Sequence, residues 1–132
     1  MNVENLRTLA HELRADPDTF DQRSWCGTAC CIAGHAAAMS GYEPRHDFDW
    51  EGVEAAARGW LDLPGRDAYV LYATAQSWPQ PFKERFLTAV YGPLDGDGEP
   101  VGDVPYGHGS VELPAFVAAD LLDALAAGKV TL

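Results

Sequence analysis

Residues 29–40 read ACCIAGHAAAMS, a stretch in which nearly every side chain is apolar or small. Thr28 before it is an N-cap residue type, and Gly41 after it suits the left-handed position that closes a helix. A helix without a polar face has to be covered on every side. The stretch therefore predicts a central, buried helix, and with it an all-α fold. Its small side chains let neighbouring helices approach closely, at some cost in helix propensity at Gly34.

The flanking segments agree. Val3, Leu6, Leu9, Ala10 and Leu13 recur at helical spacing with charges between them, until Asp16-Pro17 stops the pattern. Val53, Ala56, Ala57, Trp60 and Leu61 repeat it and are closed by Leu63-Pro64-Gly65. Ala68, Leu71, Tyr72 and Ala75 mark a shorter helix ended by Trp78-Pro79, and Phe82, Phe86, Ala89 and Val90 mark one that opens at Pro81 and ends near Gly92. A last helix is expected from about Leu113 to Ala127, with Gly128-Lys129 closing it. The segment 92–110 is rich in glycine, with prolines at 93, 100 and 105, so it is expected as a functional or mobile loop. No convincing strand pattern appears. The expectation is one compact domain over 1–132, with five or six helices around residues 29–40.

The chain of 132 residues carries a net charge of −11, with no positive residue between Arg85 and Lys129. Affinity for nucleic acid rests largely on Lys and Arg neutralising phosphates, so direct binding to DNA or RNA is not expected. No apolar run approaches the roughly 20 residues that span a bilayer, and the charged N-terminal stretch does not read as a secretory signal. The expected setting is the cytoplasm, with no membrane association. An acidic field of this kind steers a protein towards a basic partner or a cation, or serves solubility alone.

All three cysteines, Cys26, Cys30 and Cys31, lie within six residues, and His35 follows. As a zinc clip, Cys26, Cys30, Cys31 and His35 lack the usual pair of short knuckles about a dozen residues apart. A disulfide between Cys26 and Cys30 sits poorly with an odd cysteine count in a cytosolic chain. The plain reading is that Cys30, Cys31, Ile32 and Ala33 are small core residues and His35 a hydrogen-bonded one. Asp95, Asp97 and Glu99 suggest calcium, yet Pro100 stands where an EF-hand loop needs glycine and Tyr106 where it needs glutamate. Neither a metal nor a cofactor is expected.

Residues 26–33, CGTACCIA, resemble the cysteine box of the papain-like bacteriocin-processing peptidases, although Trp25 replaces that box's acidic residue. The resemblance implies Cys26 as nucleophile, Gln22 as oxyanion donor and His108 as base. A broader resemblance is to small helical proteins of actinobacteria and their phages, a group of uncharacterised function. It is carried by Cys26-Gly27-Thr28, Cys30, Ala33 and Gly34, by Trp60 to Leu63, by Trp78-Pro79, and by Phe82 and Phe86. It implies the helical fold and a phage or mobile-element setting.

The leading functional expectation is a non-enzymatic interaction protein that binds a basic surface of a protein partner, as a charge mimic or inhibitor. Asp95, Asp97, Glu99 and Asp103 are its expected contact residues. The alternative is a hydrolase using Cys26. A third reading is a small-molecule pocket lined by Trp50, Trp60, Tyr72 and Trp78.

Overall fold

Leu6, Leu9, Ala10 and Leu13, the apolar stripe of the first segment, are completely shielded from solvent in α1 (Val3–Ala15), while Val3 at its start stays exposed. The Asn2 side chain caps this helix by accepting from the Asn5 amide at 3.1 Å. Asn5 in turn donates to the Trp60 carbonyl at 2.7 Å, which fixes the start of α1 on the end of α3 (Trp50–Leu61). The computed structural model describes residues 1–21, 31–73, 75–101 and 113–132. Its helices are α1, α2 (Ile32–Met39), α3, α4 (Gly65–Tyr72), α5 (Phe82–Tyr91) and α6 (Leu113–Ala126). Among the described residues there is no strand, only an isolated bridge between Leu94 and Pro100. One hydrophobic core draws side chains from all six helices.

The helix expected over 29–40 begins at Ile32. Cys31 is extended, with ψ near 179°, and serves as the N-cap, so no continuous helix passes through it; residues 29 and 30 lie outside the described residues. Ile32, Ala33, Gly34, Ala36 and Ala37 are buried as the sequence implies, and Gly41 at φ +83° closes the helix. The centre, however, is shared. Ala115, Ala118, Ala119, Leu121 and Leu122 of α6 are all fully buried, and α6 lies between α1 and α5 while α2 packs on α3.

Two helix ends show different chemistry. α6 ends in a Schellman arrangement, with Gly128 at φ +68° and the Lys129 amide on the Ala124 carbonyl at 2.9 Å. α3 ends on Asp62 at φ +52°, a left-handed residue that is not glycine, instead of continuing to Leu63-Pro64. Asp tolerates this region better than most residues.

The start of α3 is held by several bonds to one side-chain carboxylate. Asp49 is buried and caps the helix, its Oδ1 accepting from the Gly52 amide at 3.2 Å. Arg45 donates from its backbone amide at 2.9 Å, from Nε at 3.1 Å and from Nη2 at 2.9 Å, and the Tyr42 hydroxyl donates to Oδ2. The Arg45 guanidinium holds the Asp49 carboxyl well below the usual carboxylate range, with the Arg45 amide and Tyr42 adding to it. In turn, each partner's own bond to Asp49 pushes its pKa up, Arg45's guanidinium and Tyr42's hydroxyl alike. This clasp closes the connection from α2 and sets Trp50, the next residue, at the first turn of α3.

Candidate functional site

The cysteine box divides at Cys31. Cys26, Gln22 and His108, the residues of the hydrolase reading, lie outside the described residues, as does Cys30. Cys31 is buried at the head of α2, and its carbonyl accepts from the His35 amide at 3.0 Å. The His35 ring places Nε2 3.0 Å from the Thr19 carbonyl. A carbonyl only accepts, so Nε2 carries the proton in that bond. His35 thus ties α2 to the turn at Pro17–Thr19 and is half-buried beside Phe20, a hydrogen-bonded packing residue as the plain reading expects. Among the described residues no group of His, Cys, Asp and Glu is arranged to hold a metal.

The acidic loop is ordered where it is described. Asp95 Oδ1 accepts from the Asp97 amide at 2.8 Å and the Glu99 amide at 3.0 Å, the local bonding that makes aspartate a turn residue. The Gly98 amide returns to the Asp95 carbonyl at 3.0 Å, the Asp95 amide donates to Glu99 at 2.8 Å, and Gly98 sits at φ +80°. Residues 93–101 therefore form a closed turn within the loop expected over 92–110. Asp95 spends one carboxylate oxygen on the turn itself. Asp97 and Glu99 are exposed, and Asp103 lies outside the described residues. The turn lies over α5, where Leu94, Asp97 and Gly98 share a cleft of about 80 Å³ with Lys83 and Leu87.

The acids of α6 are committed elsewhere. Asp120 accepts from Arg14 at 2.8 Å and from Arg85 at 2.6 Å, and Asp123 pairs with Arg14 at 2.7 Å. Burial alone would raise the Asp120 pKa, but its bonds with Arg85 and Arg14 outweigh burial and hold it below the usual range. Burial likewise opposes the charge of Arg14, and the two aspartates more than restore it. This network clamps α1, α5 and α6 together. The charges of Asp120 and Asp123 are paired with those of Arg14 and Arg85 across these helices, although the side chains stay partly exposed.

A second set of aromatic residues meets between α3 and α4. Trp50 and Glu54, one turn apart on α3, face Tyr69, Tyr72 and Ala73 at the end of α4 across an open cleft of about 200 Å³. Trp50 is 52% exposed and Tyr69 67%, whereas Tyr72 is buried and forms the floor. Burial pushes the Tyr72 hydroxyl well above the ordinary tyrosine range, with Cys31 and Glu54 adding to the rise. Of the four aromatics expected to line one pocket, Trp50 and Tyr72 do. Trp78 does not: it is buried, donates from Nε1 to the Leu71 carbonyl at 3.2 Å and meets Phe86 edge-on at 4.9 Å. Trp60 packs against the core instead.

The chain matches no family model, no curated protein and no solved structure. No helix among the described residues is long and apolar enough to cross a membrane. A larger groove of about 580 Å³ between α5 and α6 is lined by Pro81, Glu84, Arg85, Thr88, Ala89, Leu113 and Val117. Its arginine is already bonded to Asp120, and its remaining lining is mainly apolar. Glu54 and Tyr69 were missed from sequence, although each stands at helical spacing from an aromatic residue that was named.

Proposed function

We propose that this chain is a non-enzymatic acidic interaction protein that binds a basic surface of a protein partner, as a charge mimic or inhibitor. The observation that carries this reading is the turn at 93–101: its backbone is already closed by Asp95, and it holds the Asp97 and Glu99 carboxylates exposed. A preformed display of charge loses little ordering entropy when a partner docks. Complementary charge across an interface raises the rate of encounter and excludes partners of the wrong sign. Arg85 is held by Asp120, which leaves Lys83, across the small cleft from Asp97, as the cation beside this display. A cytoplasmic, phage or mobile-element setting belongs to the same reading and rests on the sequence alone: on the charged N-terminal stretch, and on the resemblance carried by the Cys-Gly-Thr box, Trp60 to Leu63, Trp78-Pro79, Phe82 and Phe86.

The test neutralises the display without opening the turn. D97N and E99Q together leave every bond of Asp95 in place, because both residues meet it through backbone groups alone. The pair is expected to reduce capture of the basic partner by about tenfold at physiological salt, since losing two charge contacts of about 0.7 kcal/mol each amounts to one decade. Capture equal to that of the wild type would refute the reading.

A further inference from the structure

We infer that the cleft between α3 and α4 receives a single arginine side chain of the basic partner, with the guanidinium on Glu54 and its plane against the Trp50 and Tyr69 rings. This rests on the reading above and gives it a point of specificity. Exposure is the first observation. Two large aromatic side chains, 52% and 67% exposed, stand on adjacent helices around one cleft, while Trp78, Phe82 and Phe86 show that this fold buries aromatics that serve packing. Tyr and Trp left in water around a cavity are the residue types that carry binding energy in interfaces.

Size and charge then select the occupant. Pockets for drug-sized ligands run from about 300 to 1,000 Å³, so a cleft of about 200 Å³ suits one side chain. Glu54 is half-buried in the wall and, among the described residues, makes no ion pair. Glu54 therefore favours a cation there, offset in part by Arg58, one turn along α3, whose charge also reaches Tyr72 on the floor. Arginine meets both surfaces at once: its planar head stacks on aromatic rings and its fork of donors matches a carboxylate. Lysine offers a more strongly hydrated point charge with no plane to stack. The chain's own Arg58 does not line the cleft; its Nη1 lies 3.5 Å from where a Cβ on Gly65 would stand, at the start of α4.

The test is a titration of the isotope-labelled full chain followed by two-dimensional NMR, with Nα-acetyl-arginine amide as probe and its uncharged citrulline counterpart as control. The Trp50 indole signal is expected to move with the arginine probe at millimolar concentration and to stay still with citrulline. E54Q should weaken the arginine titration by about tenfold, as loss of a charge-assisted bond does. Y69A, at an exposed position, should weaken it while leaving the remaining spectrum unchanged. Equal shifts with citrulline, or an arginine titration unaffected by E54Q, overturn the inference. An arginine-rich peptide separates it from the acidic-surface reading. Shifts at the Asp97 and Glu99 amides with a silent Trp50 indole reject the cleft and leave the turn standing, while a responding Trp50 with a silent turn supports the cleft and rejects the turn.

Discussion

Gly52→Ala is expected to destabilise the protein by about 2–3 kcal/mol, the range for forcing an extra methyl into a filled space. At this chain length that is a fall in melting temperature on the order of 10 °C. The reason is steric rather than conformational. Gly52 has no left-handed backbone angle, so alanine would ordinarily improve a helix at this position. Here a Cβ would overlap the Tyr42 hydroxyl and stand 2.6 Å from Asp49 Oδ2. Tyr42 cannot retreat without giving up its bond to the capping carboxylate. The added methyl therefore attacks the clasp that sets the start of α3. The double variant Y42F/G52A isolates the Tyr42 share: removing the hydroxyl relieves the tightest overlap and leaves the one with Asp49, so the pair should lose less than the sum of the two single changes. Strict additivity, or a stabilising G52A, would show that the clasp is not closed around Gly52.

Leu121→Ala is expected to be more damaging, at about 3–4 kcal/mol, because it combines lost burial with a cavity that rigid neighbours fill only in part. Leu121 is fully buried in α6, the helix against which both α1 and α5 pack. A domain of this size is stable by about 5–15 kcal/mol, so this one truncation removes a large share. Tyr69→Ala is the counterpart, since Tyr69 is 67% exposed and should change stability by no more than about 0.5 kcal/mol. Denaturant unfolding of both variants checks the contrast. A Tyr69→Ala loss near that of Leu121→Ala would mean that Tyr69 is a packing residue and that the cleft it lines is part of the core.

The helices were legible wherever an apolar stripe alternated with charge, as in α1, α3 and α5, because that period is itself the record of one buried face. The start of α2 was not legible. An apolar, small-residue run has no stripe to locate its first turn, and Thr28 offered a capping residue upstream of the true cap, Cys31. For α6 the difficulty was of another kind. Nothing local reveals that Asp120 and Asp123 are held by Arg14, more than one hundred residues away, or that Arg85 also binds Asp120. The same limit applies to the aromatic cleft. Trp50 and Tyr72 stand out by residue type, but spacing along one helix cannot tell which aromatics face a second helix across open space. Trp78 was sent into the core by the Leu71 carbonyl and Phe86, contacts that follow from the turn between α4 and α5. The acidic turn was visible in composition alone. Its order comes from Asp95 folding the chain onto itself, a bonding pattern that glycine and proline content does not reveal.

The most direct test of a charge-driven binding role is the association rate of the immobilised wild-type protein with the basic partner that it captures, measured across salt concentration. Screening shortens the reach of surface charges from about 10 Å at 0.1 M salt to about 3 Å at 1 M. Electrostatic steering acts on encounter, so the association rate should fall by about tenfold or more over that range while dissociation changes little. An association rate that does not respond to salt, or the absence of any basic partner at the lower concentration, would contradict the role proposed for Asp97 and Glu99.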